Sequence, residues 1–273
     1  MKKHSKMDKR IVWGILLLGV LIIGAIGAPI FAKQPPLEIK LVECPQSPSL
    51  SHPMGTDNLG RDIWSRVLYG GRTTLAIGFT AATVTVLLGI FIGMLCGYFG
   101  GKTDMILNSL IDVMLAFPYL LLAIGIAAAI GPGIRSILIA LVAAGWASTA
   151  RLVRGIVFKA RTADYITASR SLGASHVRII AKHILPAIMP NILIIFALSA
   201  ASSILAESSL SFLGLGVQPP DPSWGQMVRQ GAVYLRIAPW WSLFPGLAIA
   251  TAVFGSNLLG DCFRDLIEKG KET

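Results

Sequence analysis

Charge is scarce in this chain of 273 residues, and acid scarcest: Asp and Glu number 14, and all charged residues make up 14%. Soluble domains carry about a quarter of their residues as Asp, Glu, Lys and Arg, so a water-soluble globule is excluded. Cysteine is nearly absent. Cys44, Cys96 and Cys262 lie far apart with no Cys-x-x-Cys pair, which argues against a disulfide framework and a zinc-type site; Cys44 is left as the one candidate for thiol reactivity. The four histidines form no metal constellation, and no His-Glu-x-x-His run or other recognisable catalytic set supports an intramembrane hydrolase. Gly101-Lys102-Thr103 imitates the end of a phosphate-binding loop. Cys96 stands where that motif needs its first glycine, and the run follows an apolar helix rather than a strand, so the chain has no visible nucleotide site.

What the chain has in abundance is apolar sequence. Hydrophobic residues make up 54% and the mean hydropathy is +0.68. This composition describes an all-α, polytopic membrane protein. The net charge of +10 is not a nucleic-acid footprint, because the cations fall between apolar runs and act as topology signals.

Six spans are predicted. Lys2, Lys3, Lys6, Lys9 and Arg10 precede an apolar run over 11–32 that exceeds the usual core of a signal peptide, although Ala25-Ile26-Gly27 offers small residues at a cleavage-like spacing. A proline-punctuated outer segment over 33–72 follows, then spans over 74–98, 106–130 (interrupted by Pro118), 137–152, 191–212 and 240–259. This divides the chain into 1–72 (N-terminus, first span, outer loop) and a five-helix core over 73–273 carrying a cytoplasmic loop at about 154–190. With both termini inside, sixteen of the 24 basic residues lie on the cytoplasmic side. Gly89, Gly93 and Gly97 recur every fourth position and predict a face on which a second helix approaches closely. Asp112 has two readings: a functional intramembrane acid, or a residue near the interface paired with a neighbouring cation. Trp240 and Trp241 are placed in an aromatic belt.

The interval 164–190, DYITASRSLGASHVRIIAKHILPAIMP, is rich in cations and patterned as two short amphipathic helices. Asp164 or Thr162 is expected to cap the first, which carries Tyr165, Thr167, Ala168 and Ser169. Gly173 supplies a sharp turn. The second runs over 174–184 with Val177, Ile180, Ala181 and Ile184 on its apolar face, and Pro186 and Pro190 interrupt it before the next span. Such a unit would present a knob to a cytoplasmic partner, or lie on anionic membrane lipid.

The loop resembles the EAA motif of the membrane subunits of ATP-binding-cassette importers, whose pattern is E-A-A-x3-G-x9-I-x-L-P. Here it reads Thr167-Ala168-Ser169, three residues, Gly173, nine residues, then His183-Ile184-Leu185-Pro186. Alanine, glycine, leucine and proline match; Thr167 replaces the motif's glutamate, Ser169 its second alanine and His183 its isoleucine. Outer segments over 52–62 (HPMGTDNLGRD) and 210–225 (LSFLGLG, QPP, PSWG), with NLLGD at 257–261, are similar to the second, C-type permease of dipeptide, oligopeptide and nickel importers. In relatives an arginine usually stands three residues before Asp112; here that position is Ser109.

The resemblance implies a type I ABC importer permease (MetI-like) fold and a transport subunit that is not itself an enzyme. It implies four kinds of partner: a second homologous permease, two ATPase subunits holding ATP and Mg, an extracytoplasmic solute-binding protein, and membrane lipid. The coupling-loop residues are then Asp164, Tyr165, Thr167, Ala168, Ser169, Gly173, Ala174, His183, Leu185 and Pro186. On the outer side Asp57, Arg61, Asp62, Glu207 and Trp224 are candidates for gating or for docking the binding protein. An internally paired loop capping the outer mouth accounts for Asp57, Arg61 and Asp62 equally well, and Glu207 reads as a buried acid that holds the loop after it. No metal site is expected. The cargo reading is a dipeptide or oligopeptide, with nickel or a metal chelate as the alternative. An ion-driven secondary transporter is the reading from another class; it would need inverted repeats or midplane charges that the sequence does not display.

Overall fold

The structure, a computed structural model, describes residues 9–40 and 45–269; the reading of Cys44 as a reactive thiol falls outside them. Among the described residues the chain is helical, without strands. α1 (Lys9–Ile26) and α2 (Ala28–Phe31) are followed by non-helical stretches over 33–40 and 45–62 that carry several turns. α3 (Ile63–Phe99), α4 (Gly101–Leu115), α5 (Tyr119–Ile130) and α6 (Ile134–Ala160) follow. The short helices α7 (Asp164–Ser171) and α8 (His176–Ile179) then lead through a π-turn (Ile180–Ile184) into α9 (Leu185–Phe212). α10 (Trp224–Ala232) and α11 (Trp240–Lys269) complete the chain.

Among the described residues four helices are long and apolar enough to cross a membrane: α3, α6, the continuous stretch from His176 to Phe212, and α11; α4 and α5 make a fifth if taken as one broken span. The apolar helix of α1, Arg10–Ile26, is shorter than these. Where 106–130 reads as one interrupted span, α4 and α5 meet at 84°. The cause is local: Pro118 lacks an N–H and pushes the residue before it out of helical geometry.

Several boundaries differ from expectation. The non-helical part of the outer segment ends at Asp62, because the Asp62 carboxylate caps α3 by accepting from the Ser65 amide at 2.8 Å. α3 therefore runs unbroken through the expected division at 72/73. Its 37 residues span about 55 Å at 1.5 Å each, well beyond a ~30 Å hydrocarbon core. Pro186 and Pro190 do not interrupt the helix ahead of the fifth span. Pro186 occupies the first turn of α9, where a missing N–H costs little, and the π-turn before it closes with the Leu185 amide donating to the Ile180 carbonyl. Trp240 and Trp241 do not stand in a lipid-facing belt: Trp241 is buried and stacked on Tyr234 at 5.1 Å, and the Trp240 indole donates to the Thr56 carbonyl at 3.4 Å.

The core is built on the most extensive helix pair, α3 against α6. Gly89, Gly93 and Gly97 form the α3 side of this seam. A methyl group on Gly93 would lie 2.6 Å from the Ala150 carbonyl oxygen, and one on Gly97 would lie 2.8 Å from that of Arg154. Small residues permit this approach, and dispersion over the seam stabilises it. Arg10 at the start of α1 pairs with Asp265 near the end of α11 at 3.6 Å.

Candidate functional site

The loop over 161–190 sits against the ends of α3 and α6. Ile166 from α7, Ile179 from α8 and Ile184 from the π-turn are fully buried, and they join Val153 and Val157 of α6, Tyr98 of α3 and Ile188 of α9 in one cluster. Each such side chain contributes about 1.5–3 kcal/mol of burial. Ala174 and Leu185 pack at the edge of the same cluster. The inward face thus differs from the one expected: Val177 points out, and Ile179 takes the inward position, because the π-turn shifts the helical register before Ile184.

Neither Asp164 nor Thr162 caps α7. The N-cap is Ala163, without a side-chain hydrogen bond, and Asp164 is the acid of the first turn, where it complements the helix dipole. The two loop helices are tied together by Ser169 Oγ to His183 Nε2 at 3.4 Å, with the Tyr165 ring over His183. The loop is tied to the helices beneath it by Tyr98, whose hydroxyl meets His176 Nδ1 at 2.8 Å. Gly173 makes the turn with φ +79° and has open space around it. Thr167 and Ala168 are exposed, as is Pro186. Around them stand exposed apolar side chains: Leu172 is 89% accessible, Val177 76%, and Tyr165 is also exposed. The sequence does not single out Leu172 and puts Val177 on the apolar face, because helical periodicity does not report which apolar residue a turn leaves outside.

At the other end of the molecule Asp57 and Asp62 of the outer segment are buried and satisfied. Asp57 accepts from the amides of Leu59 and Arg61 at 2.9 and 3.0 Å and from Arg61 Nε at 2.6 Å, with Arg66 Nε 3.8 Å away. Asp62 accepts from Ser65 Oγ at 2.7 Å and meets His52 Nδ1 at 2.9 Å. Glu207 is fully buried; Ser211 donates to it at 2.7 Å and Ser208 at 3.3 Å, and the Thr74 hydroxyl faces the same carboxylate. Thr74 also accepts from the Trp224 amide at 3.2 Å. The Trp224 indole lies on Gly71 and donates to the Val67 carbonyl at 2.8 Å. Glu207 and Trp224 therefore belong to one α3–α9–α10 junction, whereas Asp57, Arg61 and Asp62 organise the segment before α3. Arg66 belongs to the outer motif that continues through Ser65-Arg66 and Gly71-Arg72, whereas Thr74 carries no local sequence signal.

Asp112 has a partner after all. Arg151 of α6 contacts its carboxylate, Asn108 donates to it at 2.9 Å, and one turn away Arg154 grips Asp104 with bonds of 2.5 and 2.7 Å. The absent arginine at 109 is replaced by one from another helix.

The chain as a whole is similar to known proteins. The model of the family described as binding-protein-dependent transport system inner membrane component matches residues 89–273. The chain belongs to this family. The permease is 42% identical to a putative peptide transport system permease protein of Brucella suis, over 93% of this chain and 86% of that one. It is 38% identical to the dipeptide transport system permease protein DppC of Bacillus subtilis, over 97% and 83%. Its fold is similar to that of the MetNI methionine ABC transporter in an inward-facing conformation, with a TM-score of 0.60 and 18% identity over 71% of this chain and 93% of that one. The permease is thus a multi-pass membrane protein of the ABC transporter class with the expected MetI-like fold.

Proposed function

We propose that the permease forms, with a second homologous permease, the membrane pathway of an ATP-driven importer that moves dipeptides or oligopeptides released by an extracytoplasmic binding protein. The observation that carries this reading is the junction of the exposed loop with α9. From His176 to Phe212 the chain is one continuous helical rod of 37 residues, with a docking loop at one end and Glu207 at the other. A surface bearing Tyr165, Leu172 and Val177, at the end of the rod away from Glu207 and uncovered, is an interaction site. Shape and apolar contact serve it where Thr167 replaces an acid.

In this reading two ATPase subunits, which hold ATP and Mg, grip the loops of the two permeases, and the permease itself performs no hydrolysis. Closure of the ATPases displaces α7 and α8, and because the π-turn makes α8 continuous with α9, that displacement moves the α9 rod within the bundle. Only contacts that differ between the two states drive the change. Both termini and the loop face the cytoplasm, across the cell's inner membrane. On the outer side, Asp57, Arg61, Asp62, Glu207 and Trp224 act from inside: they shape the surface offered to the binding protein rather than touching it. The relatives whose names carry peptide or dipeptide transport support the cargo class.

Reconstitution tests this. The permease, coexpressed with its genomic neighbours, is expected to copurify with ATPase subunits and a second permease, and proteoliposomes of the complex to accumulate a labelled dipeptide only with ATP and binding protein. Uptake by the permease alone, driven by an ion gradient, would overturn it.

A further inference from the structure

A cavity of about 540 Å³ opens beside the 84° bend between α4 and α5, at the level of the apolar spans. It falls within the ~300–1,000 Å³ of sites that hold small organic molecules. Its lining includes Thr85 of α3, Thr149 of α6, and Ser199, Ser202 and Ser203 of α9, and it contains no Asp, Glu, Lys or Arg.

These five hydroxyls do not bond back to their own helices, as several other span hydroxyls do. Thr83, Ser109, Ser209 and Thr251 each donate to the carbonyl four residues earlier, as isolated helix hydroxyls do. Thr85, Thr149, Ser199, Ser202 and Ser203 make no hydrogen bond among the described residues, although Thr85, Thr149 and Ser203 are each only 4% exposed. Of the lining serines only Ser148 bonds back, to the Gly145 carbonyl at 2.9 Å. The oxygens of Thr85, Thr149 and Ser203 are not sealed off, unlike that of Ser256, and open on the cavity. At membrane depth, unsatisfied polar groups are tolerated where they face a polar path.

We infer that this cavity is a cargo-contact site that binds the peptide main chain through neutral hydroxyls and does not read side-chain charge. The inference rests on the peptide-import reading above. Each hydroxyl both donates and accepts, which matches the alternating N–H and C=O groups of an extended peptide. A metal ion or a single-signed solute would call for charged ligands, and none lines the cavity. Because three of the five hydroxyls are on α9, the rod that carries the docking loop also carries the contacts with cargo.

The test uses the assembled complex in proteoliposomes with binding protein and ATP. Uptake of Ala-Lys and of Ala-Asp is measured for the native permease, Ser202→Asp and Ser202→Lys, and each variant's uptake ratio is divided by the native ratio, which removes the binding protein's own preference. Ser202→Asp is expected to shift the ratio towards Ala-Lys, and Ser202→Lys towards Ala-Asp, by about tenfold each, equivalent to about 1.4 kcal/mol. Variants that transport with an unchanged ratio overturn the cavity assignment alone, whereas a native complex that moves no peptide overturns the import reading and this inference together. If the charged variants do not assemble, Ser202→Cys replaces them. A water-soluble cationic thiol reagent is expected to modify it, Ala-Ala with binding protein and ATP to slow that modification, and Leu205→Cys, exposed on α9 but outside this cavity, to stay unmodified. Modification that Ala-Ala does not slow, in a complex that transports Ala-Ala, overturns the assignment.

Discussion

The hydroxyl of Tyr98 in the last turn of α3 shares a 2.8 Å hydrogen bond with Nδ1 of His176, the first residue of α8, across 78 positions of sequence. It anchors the loop over 161–190 to a helix of the core from within the loop's apolar cluster. In the importer reading, this bond transmits force. Tyr98→Phe keeps the ring, which also meets His176 and Phe99 edge to face, and removes the bond alone, at a cost of about 1 kcal/mol. The complex is expected to assemble normally while uptake per ATP hydrolysed falls several-fold. An unchanged ratio of uptake to hydrolysis would show that the bond carries no coupling.

Gly173 tests the turn of the loop. Its φ of +79° suits glycine and asparagine, and nothing crowds the position. Gly173→Val is expected to strain the backbone by about 1–3 kcal/mol and uncouple hydrolysis from uptake, whereas Gly173→Asn retains most activity. Equal transport by both variants would mean that the turn geometry is dispensable.

Glu207 is enclosed by hydroxyls that donate to it. Glu207→Gln preserves shape and one acceptor, and the hydroxyls can rotate to accept from its amide. Gln is expected to support uptake with a modest loss of thermal stability. Glu207→Leu strands Ser208 and Ser211 and is expected to cost about 1–3 kcal/mol for each group left unpaired, read as a lower unfolding temperature of the purified complex. Should Gln abolish uptake in a complex that still assembles and docks its binding protein, Glu207 is a transport residue instead of a scaffold.

The α3–α6 seam is expected to be intolerant of bulk. Gly93→Val places its side chain against the Ala150 carbonyl and Val153, and overpacking of this kind costs about 1–3 kcal/mol. Gly125→Val, where nothing lies within 4 Å of the added carbon, serves as the control. Thermal unfolding in detergent should separate the two; equal unfolding temperatures would mean that the seam can open to admit the side chain.

The 84° bend, the continuity of α8 with α9 and the pairing of Asp112 depend on different ranges of information. Pro118 announces a break but not its angle, because the angle depends on how α5 packs on α6. Pro186 and Pro190 locally favour a helix end; the π-turn and the buried Ile184 and Ile188 override that preference. Arg151 is invisible as the partner of Asp112 because the two are 39 positions apart on helices that meet only in the fold.

What the sequence determined by itself is what repeats or spaces locally: apolar runs long enough to cross a bilayer, the fourfold spacing of Gly89, Gly93 and Gly97, and the Ala168, Gly173, Leu185 and Pro186 pattern with a glycine where φ is positive. Only the tertiary structure decided which isoleucines hold the loop, which apolar side chains it leaves uncovered, and that hydroxyls from three helices face one cavity. Helical periodicity specifies a face, but the partner of that face is chosen by packing between segments far apart in the chain.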